Sequence, residues 1–249
     1  AKRKDESLMN EPRRQFGSVA ETGSVAIDQG LRQYMLGVYN YMALAVAGTG
    51  LFSMLMASNE ALMYQIAATP LKWVGFAGIL AIGWFSPRLI MGGSKAMAHG
   101  AFWLYAALWG VMIAPMLFFF QQAGAAQDIY RAFFITAAVF GSMSLWGYTT
   151  KKDLSGWASF LFMASIGLLI AIVVNALIFQ STMMSLITSC GVVLVFSAVT
   201  AWETQAIKSW YQEGSSMNER TSIFGAFMLY GSFVTLFVHI LNILGIMRD

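Results

Sequence analysis

Charge is scarce in this chain. Asp, Glu, Lys and Arg make up 11% of the 249 residues, about half the share of an ordinary soluble domain. A water-exposed globule is therefore excluded. Cysteine is limited to Cys190, so an internal disulfide is impossible; the residue lies in an apolar stretch and is expected to be a buried, inert thiol. Two histidines, His99 and His239, stand far apart, and no Cys/His cluster could hold zinc. A Walker-type Gly-rich loop and an HExxH pair are both missing. No nucleophile stands beside a base, so neither an enzyme nor a cofactor is expected. Nucleic acid is not an expected partner. Residues 1–33 are too polar for a cleavable signal peptide and contain no apolar core ahead of a small-residue cleavage site.

Apolar residues are abundant instead. They reach 58% of the chain, with a mean hydropathy of +0.63. At about 20 residues per span plus short loops, roughly six to eight membrane crossings fit. Seven apolar runs are found, near Tyr34–Ala57, Trp73–Met91, Gly100–Phe120, Ile129–Tyr148, Trp157–Phe179, Met183–Trp202 and Ser222–Ile246. Ser86-Pro87-Arg88 should end or kink the second run, and Pro115 should kink the third, because proline removes a helix hydrogen bond. Gly48, Gly50, Gly75, Gly78, Gly141, Gly167 and Gly225 would permit close helix contact. Tyr34, Trp73, Trp84, Tyr148, Trp157, Trp202 and Trp210 gather near run ends and read as interfacial anchors.

Before these runs, residues 1–33 form a polar tail, and residues 34–249 the membrane domain. The tail is too poor in large apolar residues to fold alone. Packing on the protein's own loops, or on a partner subunit in a larger membrane complex, would order it. Basic residues set the orientation. Six lie in the tail, six more (Arg88, Lys95, Lys151, Lys152, Lys208, Arg220) in loops on the same side, and three (Lys72, Arg131, Arg248) opposite, which accounts for all 15. The positive-inside rule then expects a cytoplasmic N-terminus.

The last run, Ser222–Ile246, carries no charged residue and would form a helix of roughly 37 Å. Ser232, Thr235, His239 and Asn242 recur at i, i+3, i+7 and i+10, so they share one face. Polar side chains are costly against lipid, so this face should meet other helices or a wet cavity. Either it only hydrogen-bonds its neighbours or it lines a polar pathway. His239, mid-span, is either simply hydrogen-bonded or a titrating group. Glu203 ends the sixth run, on a side shared with Ser197, Thr200, Thr204 and Ile207. It is either a helix-end surface group bonded to Lys208 or water, or the mouth of a polar pathway shared with the last helix.

Three segments carry a family resemblance: GYTTKKDLSGWASFLFMASIGLLIAIVVN (Gly147–Asn175), TAWETQAIK (Thr200–Lys208) and LYGSFVTLFVHILNILG (Leu229–Gly245). Together with GLRQYMLGVYNYMALAVAGTGL (Gly30–Leu51) they resemble the Bax inhibitor-1 (transmembrane Bax inhibitor motif) family, in a bacterial member, over about residues 28–249. Within them Lys152, Asp153, Asn175, Gln205, Lys208 and Tyr230 fall on the family motif. The resemblance implies an all-α, seven-transmembrane-helix bundle with the last helix central, in the bacterial inner membrane. It also implies a proton-sensitive calcium leak and, in some bacteria, modulation of a membrane-anchored AAA protease. Calcium would then be the transported ion, and a non-transporting accessory subunit the alternative.

Departures from the family pattern bear on that chemistry. Members with the pH-sensing pair carry Asp where this chain has Glu203 and a second Asp where it has Ser232. Two nearby carboxylates can share a proton, which couples their titration; Ser232 cannot ionise. Arg88 is the nearest candidate for the family Arg that pairs with the first acid. Asn242 stands where the last helix usually carries Arg. Two charged positions are thus neutral, which argues for loss of part of the transport or sensing chemistry.

Overall fold

The computed structural model describes the backbone of residues 11–248 and the side chains of residues 29–248. The first ten residues of the polar tail, with the partner contact expected of them, and Asp249 lie outside the described residues. The described chain forms α1 (Glu11–Ala57), α2 (Glu60–Ala68), α3 (Leu71–Ser86), α4 (Lys95–Gln122), α5 (Ala126–Thr149), α6 (Ala158–Val174), α7 (Thr182–Ser209) and α8 (Asn218–Arg248). Seven of these, with the short turns that extend them, are long and apolar enough to cross a membrane. The protein is a multi-pass, all-α membrane protein. Each span coincides with one apolar run and begins a few residues ahead of it, and the third, fourth, sixth and seventh also run past its end. The first span begins at Gln29, and α1 continues back from it to Glu11.

Helix boundaries follow local chemistry. Asn59, Ser94 and Ser181 accept hydrogen bonds from the backbone N–H groups of Leu62, Met97 and Met184, which caps α2, α4 and α7. The α-helical part of the second span stops at Ser86, and Pro87–Met91 continues as a π-helical turn. Proline has no N–H to give to the α-helical ladder, so the register widens there. Pro115, by contrast, is buried inside an uninterrupted α4. A second π-helical turn, Asn175–Phe179, follows α6 and ends at Gln180, which takes a left-handed backbone with φ of 47°.

A larger share of α8 is buried than of any other span. It packs against α1, α4, α5 and α7, whereas α6 leans chiefly on α7 and α3 on α2 and α4. The α4–α8 contact is aromatic: Tyr105 meets Phe227 with ring centroids 4.3 Å apart, and Phe102 sits edge-on to Tyr230.

Three expectations are corrected. Tyr34 is no exposed anchor: it is buried in the core beside Tyr211, 5.6 Å between centroids. Cys190 is exposed on the outer side of α7, not buried, because its neighbours Thr188 and Ser189 occupy the inward face. Among the glycines, Gly75, Gly78 and Gly225 do sit against side chains of other helices, but Gly48, Gly50, Gly141 and Gly167 face open space. At Gly147 of α5 a Cβ would overlap the backbone of Ala201 in α7, so the two helices approach closely there.

Candidate functional site

The inward face of the last turns of α7 presents Thr200, Glu203, Thr204 and Ile207, all buried. Spacings of three and four residues bring them onto one stripe. Opposite stands α8, whose Ser232 hydroxyl donates to Oε2 of Glu203 at 2.7 Å. Relative exposures of 7% for Glu203 and 2% for Ser232 leave no room for bulk water. Glu203 is therefore not a helix-end surface group. Lys208, the alternative partner, turns away: its ammonium donates to the Tyr148 carbonyl at 2.9 Å and lies 4.7 Å from the centre of the Tyr148 ring.

Next to this pair, the Thr204 hydroxyl meets Ser144 at 2.9 Å, and Ser144 meets the Tyr39 hydroxyl, so one polar chain joins α7, α5 and α1. Towards the α7–α8 loop the seam is closed by the fully buried Ile207 and Ile223. Trp210 stacked on Phe224, with centroids 5.6 Å apart, covers them. Among the described residues, no group of three or more His, Cys, Asp or Glu side chains could hold a metal ion. The pair can accept or release a proton and offer oxygens to a cation. It cannot share one proton between two carboxyls, since Ser232 has none.

At the other end of the same α7–α8 seam lies an open vestibule of about 590 Å³. Ser185 and Ser189 of α7, His239 and Asn242 of α8, and Asn175 and Gln180 of the preceding turn supply its polar groups, between apolar walls from Met116, Ile172, Val238 and Ile246. The Asn242 amide donates to the Ser185 and Ser189 hydroxyls at 3.0 and 2.9 Å, and Ser189 bonds Nδ1 of His239 at 3.0 Å. Seven residues separate Ser232 from His239, a rise of about 10 Å. Thr235, half-buried, lies on the same face between them. Three of the four members of the predicted α8 stripe thus meet α7: Ser232 bonds Glu203, and His239 and Asn242 line the vestibule.

The motif residues hold the frame around the seam. The Gln205 carboxamide donates to the Lys152 carbonyl at 2.8 Å and accepts from the Leu154 N–H at 2.7 Å, which ties the α5–α6 loop to α7 two residues beyond Glu203. In that loop Asp153 accepts from the Ser155 N–H at 2.9 Å, a bond that holds its carboxyl below the usual range. Asn175 pins the turn into α7, donating to the Ser181 carbonyl at 3.1 Å and accepting its N–H at 3.0 Å. The Tyr230 hydroxyl, fully buried, meets Thr49 of α1 at 2.7 Å. Arg88 is not brought to Glu203: it is exposed on the π-helical turn and, among the described residues, forms no ion pair. Arg220 instead donates to the Met91 carbonyl at the end of that turn, at 3.2 Å.

Sequence reasoning did not find Thr49, Tyr39, Ser144, Ser185 or Ser189. The last two stand four residues apart on α7, a helical spacing that could have flagged them as partners for the α8 stripe.

Comparison with known proteins shows the family of this chain. The profile of the family described as Inhibitor of apoptosis-promoting Bax1 matches residues 31–249. An uncharacterised protein of Rickettsia prowazekii is 38% identical over 232 residues, which covers 89% of this chain and 93% of the relative. One from Deinococcus radiodurans is 36% identical over 235 residues, 93% of this chain and 97% of the relative. The inner membrane protein YbhL of Escherichia coli is 34% identical over 221 residues, 87% of this chain and 92% of the relative.

Proposed function

This chain belongs to the Bax inhibitor-1 family, and on that premise we propose that it is a pH-modulated calcium or cation leak of the bacterial inner membrane. The path runs along the α7–α8 seam, with α8 as its axial helix, the polar vestibule as one mouth and the Glu203–Ser232 pair as the closed gate. The observation that carries this reading is a single buried carboxyl bonded across the seam, in line with an open polar cavity between the same two helices. A carboxyl in so dry a place is expensive unless it has a task. The 12-to-3 division of basic residues supports a cytoplasmic N-terminus, with the gate at the cytoplasmic end, residues 1–33 as a tail and residues 34–249 as the conducting domain. Ser232 in place of a second acid makes Glu203 the sole carboxyl of the gate.

The test is calcium flux into liposomes holding the purified protein, followed from about pH 5 to 8, the range that covers perturbed carboxyls and imidazoles. Flux that varies with pH is expected, with Glu203→Gln flattening the profile. Absence of calcium permeation at every pH would overturn the leak, and an unchanged profile in the variant would remove Glu203 from the gate.

A second reading, an accessory subunit or regulator of a larger membrane complex such as one built on a membrane-anchored AAA protease, is supported by α1, which continues from Gln29 back to Glu11 beyond its span. Mild-detergent extraction with a C-terminal tag tests it: a stoichiometric partner supports this role, and a lone monomer counts against it.

A further inference from the structure

Helices α3 and α6 stand on the outside of the bundle, and between them, over α4, lies a wholly apolar cleft of about 190 Å³. Trp73 and Phe76 of α3, Met112 of α4, and Ile172 and Val173 of α6 form its walls. The remaining lining residues are Lys72, in the first turn of α3, and Ala176. Ile172 and Ala176 also line the polar vestibule, so the cleft adjoins the vestibule's side wall.

Height and charge decide what fits there. Lys72 is the second residue of a spanning helix, at the level where a bilayer keeps its headgroups, and Trp73 beside it suits the same level. Phe76 lies one turn deeper, in the hydrocarbon. The apolar stem of Lys72 thus lines the outer end of the slot, its ammonium stands beside that end at phosphate height, and the slot runs from there into the acyl region. Three basic residues occupy this end of the bundle. Arg131 is paired with Asp128 at 3.0 Å, and Arg248 donates to the Ala123 carbonyl at 3.2 Å. Lys72 donates to the Ala67 carbonyl at 3.1 Å and, among the described residues, has no carboxylate partner. Two of its ammonium hydrogens remain for an anion. A wholly apolar helix in the slot would leave that charge unmatched; a phosphate ester on an acyl chain matches both the charge and the apolar wall.

We propose that the cleft is a phospholipid site: one anionic phospholipid places its phosphate on Lys72 and an acyl chain between α3 and α6, against the vestibule wall. Ion conduction is not needed for this inference, and its test does not read flux.

The purified full chain is exchanged into detergent with phosphatidylglycerol or phosphatidylcholine of identical chains, and retained lipids are counted by native mass spectrometry. One tightly held lipid is expected, with phosphatidylglycerol preferred about fivefold, the effect of one lysine near an anionic lipid surface. Lys72→Ala should bring that preference close to unity, and Val173→Trp should displace the lipid whatever its headgroup. Val74→Trp, on the exposed side of α3, should change neither. An unaltered preference in Lys72→Ala, or an undiminished count in folded Val173→Trp, would overturn the site. Because a bulky substitution can prevent folding, the unaltered protein is also photolysed with a diazirine-bearing phosphatidylglycerol. Adducts concentrated on Trp73, Phe76, Met112 and Val173 are expected; adducts spread evenly over outward residues such as Leu51, Phe134 and Leu194 would refute the proposal.

Discussion

Ser232→Ala removes the only described hydrogen bond to the Glu203 carboxyl and leaves every other side chain of the α7–α8 seam in place. The two residues are 2% and 7% exposed, so water cannot replace the lost hydroxyl. Interhelical side-chain bonds in membranes average about 0.6 kcal/mol and reach about 1.7 kcal/mol. A buried acceptor left without a donor costs about 1–3 kcal/mol. Because no second hydrogen bond to the Glu203 carboxyl is seen among the described residues, the upper part of the first range applies, and a loss of about 1.5 kcal/mol is expected. The bond itself is isolated by a double-mutant cycle with Glu203→Met, which keeps the bulk and removes the acceptor. Unfolding free energies come from steric trapping in bicelles. Ser232→Ala should be destabilised, Glu203→Met need not be because it also removes a costly buried carboxyl, and the double variant should recover at least about 1 kcal/mol relative to the sum of the two. Ser232→Thr, which keeps the donor, should stay close to the parent. A coupling below about 0.3 kcal/mol, within the additivity error of independent sites, would show that hydroxyl and carboxyl do not bind one another in the bilayer, and the gate geometry would fall with it.

Two further outcomes follow from the same packing. Gly147→Val puts methyl groups into the Ala201 backbone and should cost at least about 1–3 kcal/mol or prevent folding, while Gly141→Ala, facing open space, should stay within about 0.5 kcal/mol of the parent; equal stabilities would refute the close α5–α7 approach. Gln205→Ala breaks both ties between α7 and the α5–α6 loop, so amide exchange at Leu154 should rise at least tenfold, as loss of roughly 1.4 kcal/mol of local protection requires; unchanged protection would mean that the loop is held by other contacts.

Much of this was written in composition and periodicity. Low charge and seven apolar runs specify seven spanning helices, because an unpaired backbone in hydrocarbon is so costly that only helices satisfy it within a single segment. Spacing also put Ser232, Thr235, His239 and Asn242 on one face of α8, and Thr200, Glu203 and Thr204 on one face of α7, since helical period is a local property. Local chemistry likewise ended the α-helical part of the second span at Pro87. What periodicity cannot report is which helix a face meets. That Glu203 finds Ser232, and that Ser189 joins His239 to Asn242, depends on how α7 and α8 slide and rotate against one another. The same packing turned Tyr34 inward and Cys190 outward, left four glycines facing outward, and drew Gly147 onto Ala201. Arg88, the nearest candidate in sequence for a partner of the first acid, sits exposed on the π-helical turn that begins at Pro87, unpaired with the carboxyl. The cleft between α3 and α6 belongs to no single segment. It exists because two peripheral helices lean on different neighbours and leave a gap, and a gap between helices has no local signature in the residues that line it.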